Sequence, residues 1–201
     1  THRTSALVRD KLKEFGCDEV IEGIGKTGVV GVINGQTNQS GKVIGLRADM
    51  DALPINEETG LDYSSKIPGA MHACGHDGHT SMLLGAAKYL CETRNFDGQA
   101  VVIFQPAEEG GGGGLEMCQD GMMENFKIDE VYGMHNWPGV ELGKFAIRSG
   151  PFFAASDFIE ATISGKGGHA AKPHETIDPT VIASQIVVAL QTIASRRADP
   201  V

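Results

Sequence analysis

The segment Ala100–Phe104 has the sequence Ala-Val-Val-Ile-Phe, and this uninterrupted apolar run constrains the fold more than any other part of the chain. Five consecutive apolar residues predict a strand that is buried on both faces, which is typical of a sheet covered by helices on both sides. Strand-like and helix-like segments alternate along the chain. We therefore expect the α/β fold class.

The spacing of apolar residues predicts the remaining elements. Val29–Ile33 and Lys42–Leu46 are short β-branched runs on either side of a turn, and together they predict a β-hairpin. Asp51–Met71 contains two prolines and is expected to be irregular. Two further strands are predicted at Glu130–Met134 and Phe158–Ile163, and four helices at Ser5–Phe15, Thr80–Glu92, Leu115–Met123 and Asp178–Ser195.

The chain of 201 residues has a formal net charge of −9 and a pI near 5.2. Nucleic acids and anionic membrane surfaces bind basic faces, so we expect neither as a partner. Thr1–Asp10 is unlike a signal peptide, and no apolar run approaches the roughly 20 residues that span a bilayer. We expect a cytoplasmic location, where the four widely spaced cysteines stay free or bind metal and Cys91 lies in the core.

The densest group of potential metal ligands is Met71–His79, which holds three histidines, a cysteine and an aspartate just before a predicted helix. Thiolate and imidazole both suit zinc and neighbouring transition metals. The alternative is a polar loop whose histidines cap the helix. The density of the cluster favours a metal site.

Two other predicted strand ends carry side chains that could complete such a site. Glu108 and Glu109 directly follow the buried strand, and one carboxylate can bind a metal while its neighbour acts as general base on water. His135 follows another strand. A Glu-Glu pair by itself commonly lies in a solvated turn. A single histidine at the end of a strand is commonly a buried imidazole that binds no metal. Beside the first cluster they become informative, because sites in α/β proteins form where strands end.

Three further segments carry residues of interest. Asp49 and Asp51 also follow a strand, where they either orient histidine ligands or form a turn. Gly165–His174 lacks the Gly-x-x-x-x-Gly-Lys-Ser/Thr pattern, so we expect a tight turn there and no phosphate loop. The composition changes near Ser149–Ser156, which predicts a domain boundary between residues 152 and 153.

Taken in order, these segments resemble the hippurate hydrolase and indoleacetyl-amino-acid hydrolase branch of the aminoacylase and carboxypeptidase G-like metallopeptidases. The stretches that carry the resemblance are LRADMDALP (46–54), PGAMHACGHDGHTSMLLGAAKYL (68–90), VIFQPAEEGGGG (102–113), GMHNWP (133–138) and SGPFFAASDFIEATISGKGGHAAKPHETIDP (149–179).

The resemblance implies a catalytic domain over 1–152, with a mixed sheet flanked by helices, and the start of a smaller α+β lid and dimerisation domain over 153–201. It implies two divalent metal ions, zinc or manganese, with cobalt or nickel as alternatives. The residues that match the family's metal ligands are Cys74, His76, Glu109 and His135. Glu108 matches the general base. His169 matches a lid histidine that helps to hold the developing oxyanion, often in the partner subunit's site.

The implied reaction is hydrolysis of the amide bond of N-acyl amino acids, such as hippurate or N-acetyl conjugates, by a metal-activated water. A homodimer formed through the lid is implied as well. Members of this family extend further toward the C-terminus and supply one more histidine ligand there, so we expect this chain to be a fragment.

Three alternatives to this function remain. One is a dipeptidase or deacetylase of the same family, and another is a non-catalytic metal-binding or dimerising module with the same fold. The third is a redox protein that uses Cys74, which the lack of a Cys-x-x-Cys pair disfavours.

Overall fold

The structure is a computed structural model that describes residues 1–153 and 157–197. These residues divide between two compact units, Thr1–Gly143 and Lys144–Val201, and we describe each unit by itself. The domain boundary predicted after residue 152 stays a prediction, and Ala154–Ser156 of the segment that suggested it lie outside the described residues.

The elements of the first unit follow one another in α/β order. They are α1 (His2–Phe15), β1 (Glu19–Ile24), β2 (Gly28–Asn34), β3 (Val43–Asp49), α2 (His76–Thr93), β4 (Gln99–Gln105), α3 (Gly113–Gln119), α4 (Met122–Phe126) and β5 (Glu130–Gly133). The second unit contains a short 3₁₀ turn (Pro173–Glu175) and α5 (Pro179–Arg196).

The five strands form one mixed sheet in the order β1–β2–β4–β3–β5. The pairs β1–β2 and β2–β4 are antiparallel, whereas β3 pairs in parallel with both β4 and β5. The α/β class with a mixed sheet is therefore confirmed. The parallel arrangement brings the C-terminal ends of β3, β4 and β5 to the same edge of the sheet.

The position of β4 inside the sheet follows from its apolar sequence. Ala100, Val102 and Phe104 point into a core formed with α1 and α2, while Val101 and Ile103 point into a second core formed with α3 and α4. The predicted burial on both faces is confirmed, and full burial of one such side chain stabilises the fold by about 1.5–3 kcal/mol.

The predicted hairpin between Val29–Ile33 and Lys42–Leu46 is wrong. Both runs form strands, but β4 lies between them and pairs with each. The antiparallel partner of β2 on its other side is β1, which was not predicted because this edge strand carries Glu19, Glu22 and Gly23 among its apolar residues. The all-apolar β4 takes the central position, since only there are both of its faces covered.

Two helix predictions need correction. The helix predicted from Thr80 begins earlier, at His76, because Gly75 adopts a left-handed conformation (φ 81°) and turns the chain into the helix. The single helix predicted over Leu115–Met123 is two helices, α3 and α4, separated at Gly121, which has φ 84°.

The second unit confirms one prediction and contradicts another. The predicted helix Asp178–Ser195 is α5, whose first residue is Pro179 and whose N-cap Asp178 accepts a hydrogen bond from the backbone N–H of Thr180 (2.8 Å). The strand predicted at Phe158–Ile163 is absent from the described residues 157–163, and a strand requires a hydrogen-bonded neighbour that the described part of this unit does not provide. None of the helices in the described ranges is long and apolar enough to cross a membrane.

Candidate metal centre

The candidate site lies at the sheet edge where β3, β4 and β5 end. Asp49 is the last residue of β3 and Asp51 follows it, Glu108 and Glu109 follow β4, and His135 follows β5. The first turn of α2 and the residues before it contribute the remaining side chains, Cys74 and His76. The structure thus gathers around His76 every predicted site residue of the first unit.

His76 is completely buried, yet neither of its ring nitrogens has a hydrogen-bond partner. Its Nδ1 faces Asp51 Oδ1 at 3.4 Å. Its Nε2 lies 3.6 Å from Asp49 Oδ2, 3.8 Å from Glu109 Oε1 and 3.9 Å from Glu108 Oε2. Because a good hydrogen bond would bring these atoms to about 3 Å, the ring is surrounded by carboxylates without being paired to them.

Cys74 and His135 come together next to His76. The Sγ of Cys74 lies 3.4 Å from Nε2 of His135, and one ligand atom from each of these two residues and His76 falls within 4.8 Å of the others. Burial raises the pKa of the Cys74 thiol to about 11, and the carboxylates of Glu109, Glu108 and Asp49 add to this rise. The carboxylates therefore give the surroundings of the thiol a negative electrostatic potential.

Asp49 makes its shortest contact with His79, a residue to which the sequence assigned no separate role. Asp49 Oδ1 lies 2.6 Å from His79 Nδ1, and both side chains are buried. Nε2 of His79 accepts a hydrogen bond from the backbone N–H of Asn136 (2.9 Å). The Nδ1 atom therefore carries the proton and donates to Asp49.

These two bonds connect the end of β3 to the segment that carries His135, and Arg47 donates to the second oxygen of Asp49 (2.8 Å). The sequence contained a signal for His79. It is three residues after His76, so the two side chains share a helix face once α2 is known to begin at His76.

The loop that carries Glu108 and Glu109 is shaped by its glycines. Its peptide N–H groups at Gly111 and Gly113 donate to Ala107 O, and a Cβ at Gly113 would collide with the carbonyl oxygen of Pro106. The backbone N–H of Glu109 donates to Asp51 Oδ2 (3.0 Å), which fixes Glu109 next to the end of β3. The glycine run thus permits the tight turn that directs the paired glutamates toward His76.

The unpaired atoms of this cluster suit a cation. Asp51 Oδ1, Glu109 Oε1 and both ring nitrogens of His76 are buried without hydrogen-bond partners. A buried polar atom without a partner costs about 1–3 kcal/mol, and a group of carboxylates repels itself in the absence of positive charge. Divalent metal ions would remove both costs, and imidazole, thiolate and carboxylate are the ligands that zinc accepts.

His169 belongs to the second unit and is exposed there. Its Nδ1 accepts a hydrogen bond from the backbone N–H of Ala171 (3.1 Å), and its carbonyl oxygen accepts from Lys172 N (2.8 Å). The segment around it is a turn, as expected, closed by the bridge between Lys166 and Ile177. The role suggested for His169 by the resemblance stays a prediction.

Comparison with known proteins identifies the family of the chain. Residues 45–200 match the model of the peptidase family M20/M25/M40. The chain belongs to this family. It is 53% identical to hippurate hydrolase of Campylobacter jejuni over 98% of the chain and 50% of that protein. It is 48% identical to N-acyl-L-amino acid amidohydrolase of Geobacillus stearothermophilus over 98% of the chain and 53% of that protein. The chain therefore spans about half the length of these M20 relatives.

A solved M20 structure has the same fold. It is a dinuclear metal-binding peptidase of the M20 family from Bacillus subtilis, which is 36% identical to this chain and superposes on it with a TM-score of 0.72. The superposition covers 95% of this chain and 50% of the Bacillus subtilis chain. The family resemblance predicted from the sequence motifs is thereby confirmed.

Proposed function

We propose that the protein hydrolyses the amide bond of N-acyl amino acids with the help of two divalent metal ions. The observation that carries the proposal is the imidazole of His76, which is completely buried, unpaired and surrounded by a thiol and carboxylates. The substrate class is supported by the M20 relatives, which include a hippurate hydrolase and an N-acyl-L-amino acid amidohydrolase. A dipeptidase or deacetylase specificity is the alternative within the same chemistry.

The residues proposed to hold the metal ions are Cys74, His76, Glu109 and His135. Among them, Cys74 favours zinc, while the imidazole and carboxylate groups also accept manganese, cobalt or nickel. When bound, such ions would acidify a water molecule and polarise the scissile carbonyl. We propose that Asp51 orients His76, since its Oδ1 faces Nδ1 of the ring and leaves Nε2 facing Asp49 and the two glutamates.

Glu108 is proposed as the general base, and its environment differs from that of its neighbour. The side chain of Glu108 is 42% exposed, whereas Glu109 is 23% exposed and has a buried oxygen without a partner. Glu109 is thus better placed to bind a metal ion. Glu108 lies on the open side, where it can take a proton from water and return it to the leaving amine.

Three further proposals concern His169, the oligomeric state and the location of the protein. We propose that His169 hydrogen-bonds the developing oxyanion of the substrate, as the corresponding histidine does in the family that the motifs resemble. We also propose that the protein is a homodimer formed through this unit and that it acts in the cytoplasm.

The proposal is tested with the purified full-length protein. Amine release from N-acetyl and N-benzoyl amino acids and from dipeptides is measured in metal-free buffer and with added zinc or manganese. We expect metal-dependent hydrolysis of the N-acyl amino acids, and we expect Glu108→Gln to reduce kcat about 10²–10⁴-fold at unchanged metal content. Glu92→Gln, an exposed change on α2, is the matched control and should leave kcat unchanged.

Two results would contradict the proposal. One is a folded, metal-loaded protein that hydrolyses none of these substrates, which would favour the non-catalytic module. The other is full activity in Glu108→Gln, which would remove Glu108 from the reaction.

A further inference from the structure

Two cysteines that the proposed function does not use lie next to each other in the first unit. The Sγ atoms of Cys17 and Cys91 are 3.6 Å apart, although 74 residues separate them in the chain. Cys17 follows the Gly16 that ends α1, and Cys91 is in the last turn of α2. Both side chains pack against the same core as α1 and α2. We refer to them as the thiol pair.

The backbone around the thiol pair is held by Arg94, which caps the C-terminal end of α2. Its guanidinium donates to the carbonyl oxygen of Gly16 (2.8 Å) and to the carboxylate of Asp18 (2.7 Å), which are the two neighbours of Cys17. It also donates to the carbonyl oxygen of Asn34 (3.0 Å). The approach of the two thiols is thus fixed by hydrogen bonds that join the corner after α1 to α2.

We propose that Cys17 and Cys91 form an intramolecular disulfide when the protein meets a small disulfide oxidant such as oxidised glutathione. A disulfide has an S–S length of about 2.05 Å, so the two sulfur atoms must approach by only about 1.5 Å.

The reaction balances in two exchange steps. Cys17 is partly exposed, so its thiolate attacks oxidised glutathione first, forms a mixed disulfide and releases one reduced glutathione. The thiolate of the buried Cys91 then attacks the sulfur of Cys17 and releases the second glutathione. The two protein thiols lose two protons and two electrons, and the oxidant is reduced to two thiols.

The surroundings indicate a slow but persistent bond. Burial, followed by the hydrogen bond with Cys91, raises the pKa of Cys17 to about 12, so few thiolates are present at neutral pH and the first step is slow. The same high pKa makes Cys17 a poor leaving group, which slows reduction of the finished disulfide. Closing a loop of 74 residues should also raise the midpoint of thermal unfolding of the full-length protein by about 5 °C.

The test uses the purified full-length protein, incubated at mildly alkaline pH with either oxidised or reduced glutathione. Free thiols are then alkylated in denaturant, and tryptic peptides are analysed by mass spectrometry. We expect the peptides Glu14–Lys26 and Tyr89–Arg94 to appear as one cross-linked species that has lost two hydrogen atoms. The reductant should separate them and reverse the rise in the unfolding midpoint.

Matched variants complete the design. Cys118→Ala removes an exposed cysteine and should leave the cross-link and the midpoint shift intact, whereas Cys17→Ala should abolish both. The proposal is overturned if both peptides are fully alkylated after incubation with oxidised glutathione, or if Cys17 or Cys91 is found only joined to glutathione or to another cysteine. These peptide results decide the question in the unmodified protein even if a variant fails to fold. They do not depend on whether the protein is an amidohydrolase.

Discussion

Replacement of Asp49 by asparagine should weaken both the fold and the metal site. Asp49 accepts hydrogen bonds from two donors, His79 Nδ1 at 2.6 Å and Arg47 Nη1 at 2.8 Å. An asparagine has the same shape but only one acceptor oxygen, so its amide N–H₂ must face one of these donors.

The size of the effect follows from the burial of the two bonds. Asp49 and His79 are both buried, so a lost hydrogen bond between them costs about 1.5–3 kcal/mol. Arg47 is 27% exposed, so loss of its bond costs no more than about 1 kcal/mol. Because the asparagine keeps one of the two bonds, we expect the free energy of unfolding of the metal-free protein to fall by about 1–3 kcal/mol, the larger value applying if the bond to His79 is the one lost. Because His79 holds the backbone of Asn136 next to His135, we also expect metal affinity to fall about 10–100-fold.

Both quantities are measured on the full-length protein. Urea unfolding followed by circular dichroism gives the stability of the metal-free form, and competition with a zinc chelator gives the affinity. Asp10→Asn, at an exposed position of α1, is the control and should change neither quantity by more than about 0.5 kcal/mol. If Asp49→Asn matches this control in stability and zinc affinity, the hydrogen-bonded connection through His79 does not support the site.

Three further predictions concern a turn and two titrating groups. Gly75→Ala should lower the free energy of unfolding by about 1–3 kcal/mol more than the control Gly60→Ala. Both glycines have positive φ, but only at position 75 would the new Cβ collide with the side chain of Asn136. Equal losses for the two variants in urea unfolding would contradict this. Hydrogen bonds from Ser40, Thr37 and Gln39 lower the pKa of Asp97. The carboxylate of Asp97 should therefore stabilise the fold above its ordinary pKa of 3.8, and this stabilisation should be lost as the pH falls below that value. Asp97→Asn should make the free energy of unfolding depend less on pH in the acid range. The pKa of Cys17 is raised, so its pH dependence is opposite to that of Asp97. In the reduced protein the neutral thiol contributes fully to stability below pH 9.0, and this contribution is lost as the pH rises toward 12. Cys17→Ala should make the free energy of unfolding depend less on pH in the alkaline range.

The sequence predicted the elements whose local pattern agrees with their final environment. β4 was predicted because five apolar residues in succession, three of them β-branched, are typical of a strand covered on both faces. The hairpin was wrong for a non-local reason: the order of strands depends on which strand best fills the centre of the sheet, and the partner of β2 is an edge strand with little apolar pattern. The sequence of the turn between Val29–Ile33 and Lys42–Leu46 determines neither the strand order nor the partner of β2.

The candidate site shows the same division. The metal-type side chains and their order along the chain were visible as motifs, and the sheet edge that unites them follows from the parallel pairing of β3 with β4 and β5. The role of His79 was missed because the first turn of α2 is made of histidine and glycine, which resemble a loop. The proximity of Cys17 and Cys91 could not be predicted, since it depends on how α1 and α2 pack.

The central claim is that Cys74, His76, Glu109 and His135 hold the metal ions, and anomalous diffraction at the absorption edge of zinc or manganese tests it most directly. Crystals of the full-length protein grown with the metal should show two strong anomalous peaks at the edge formed by β3, β4 and β5, with these four side chains among the ligands. Peaks elsewhere, or metal ions at this edge that Cys74 and His76 do not contact, would contradict the account.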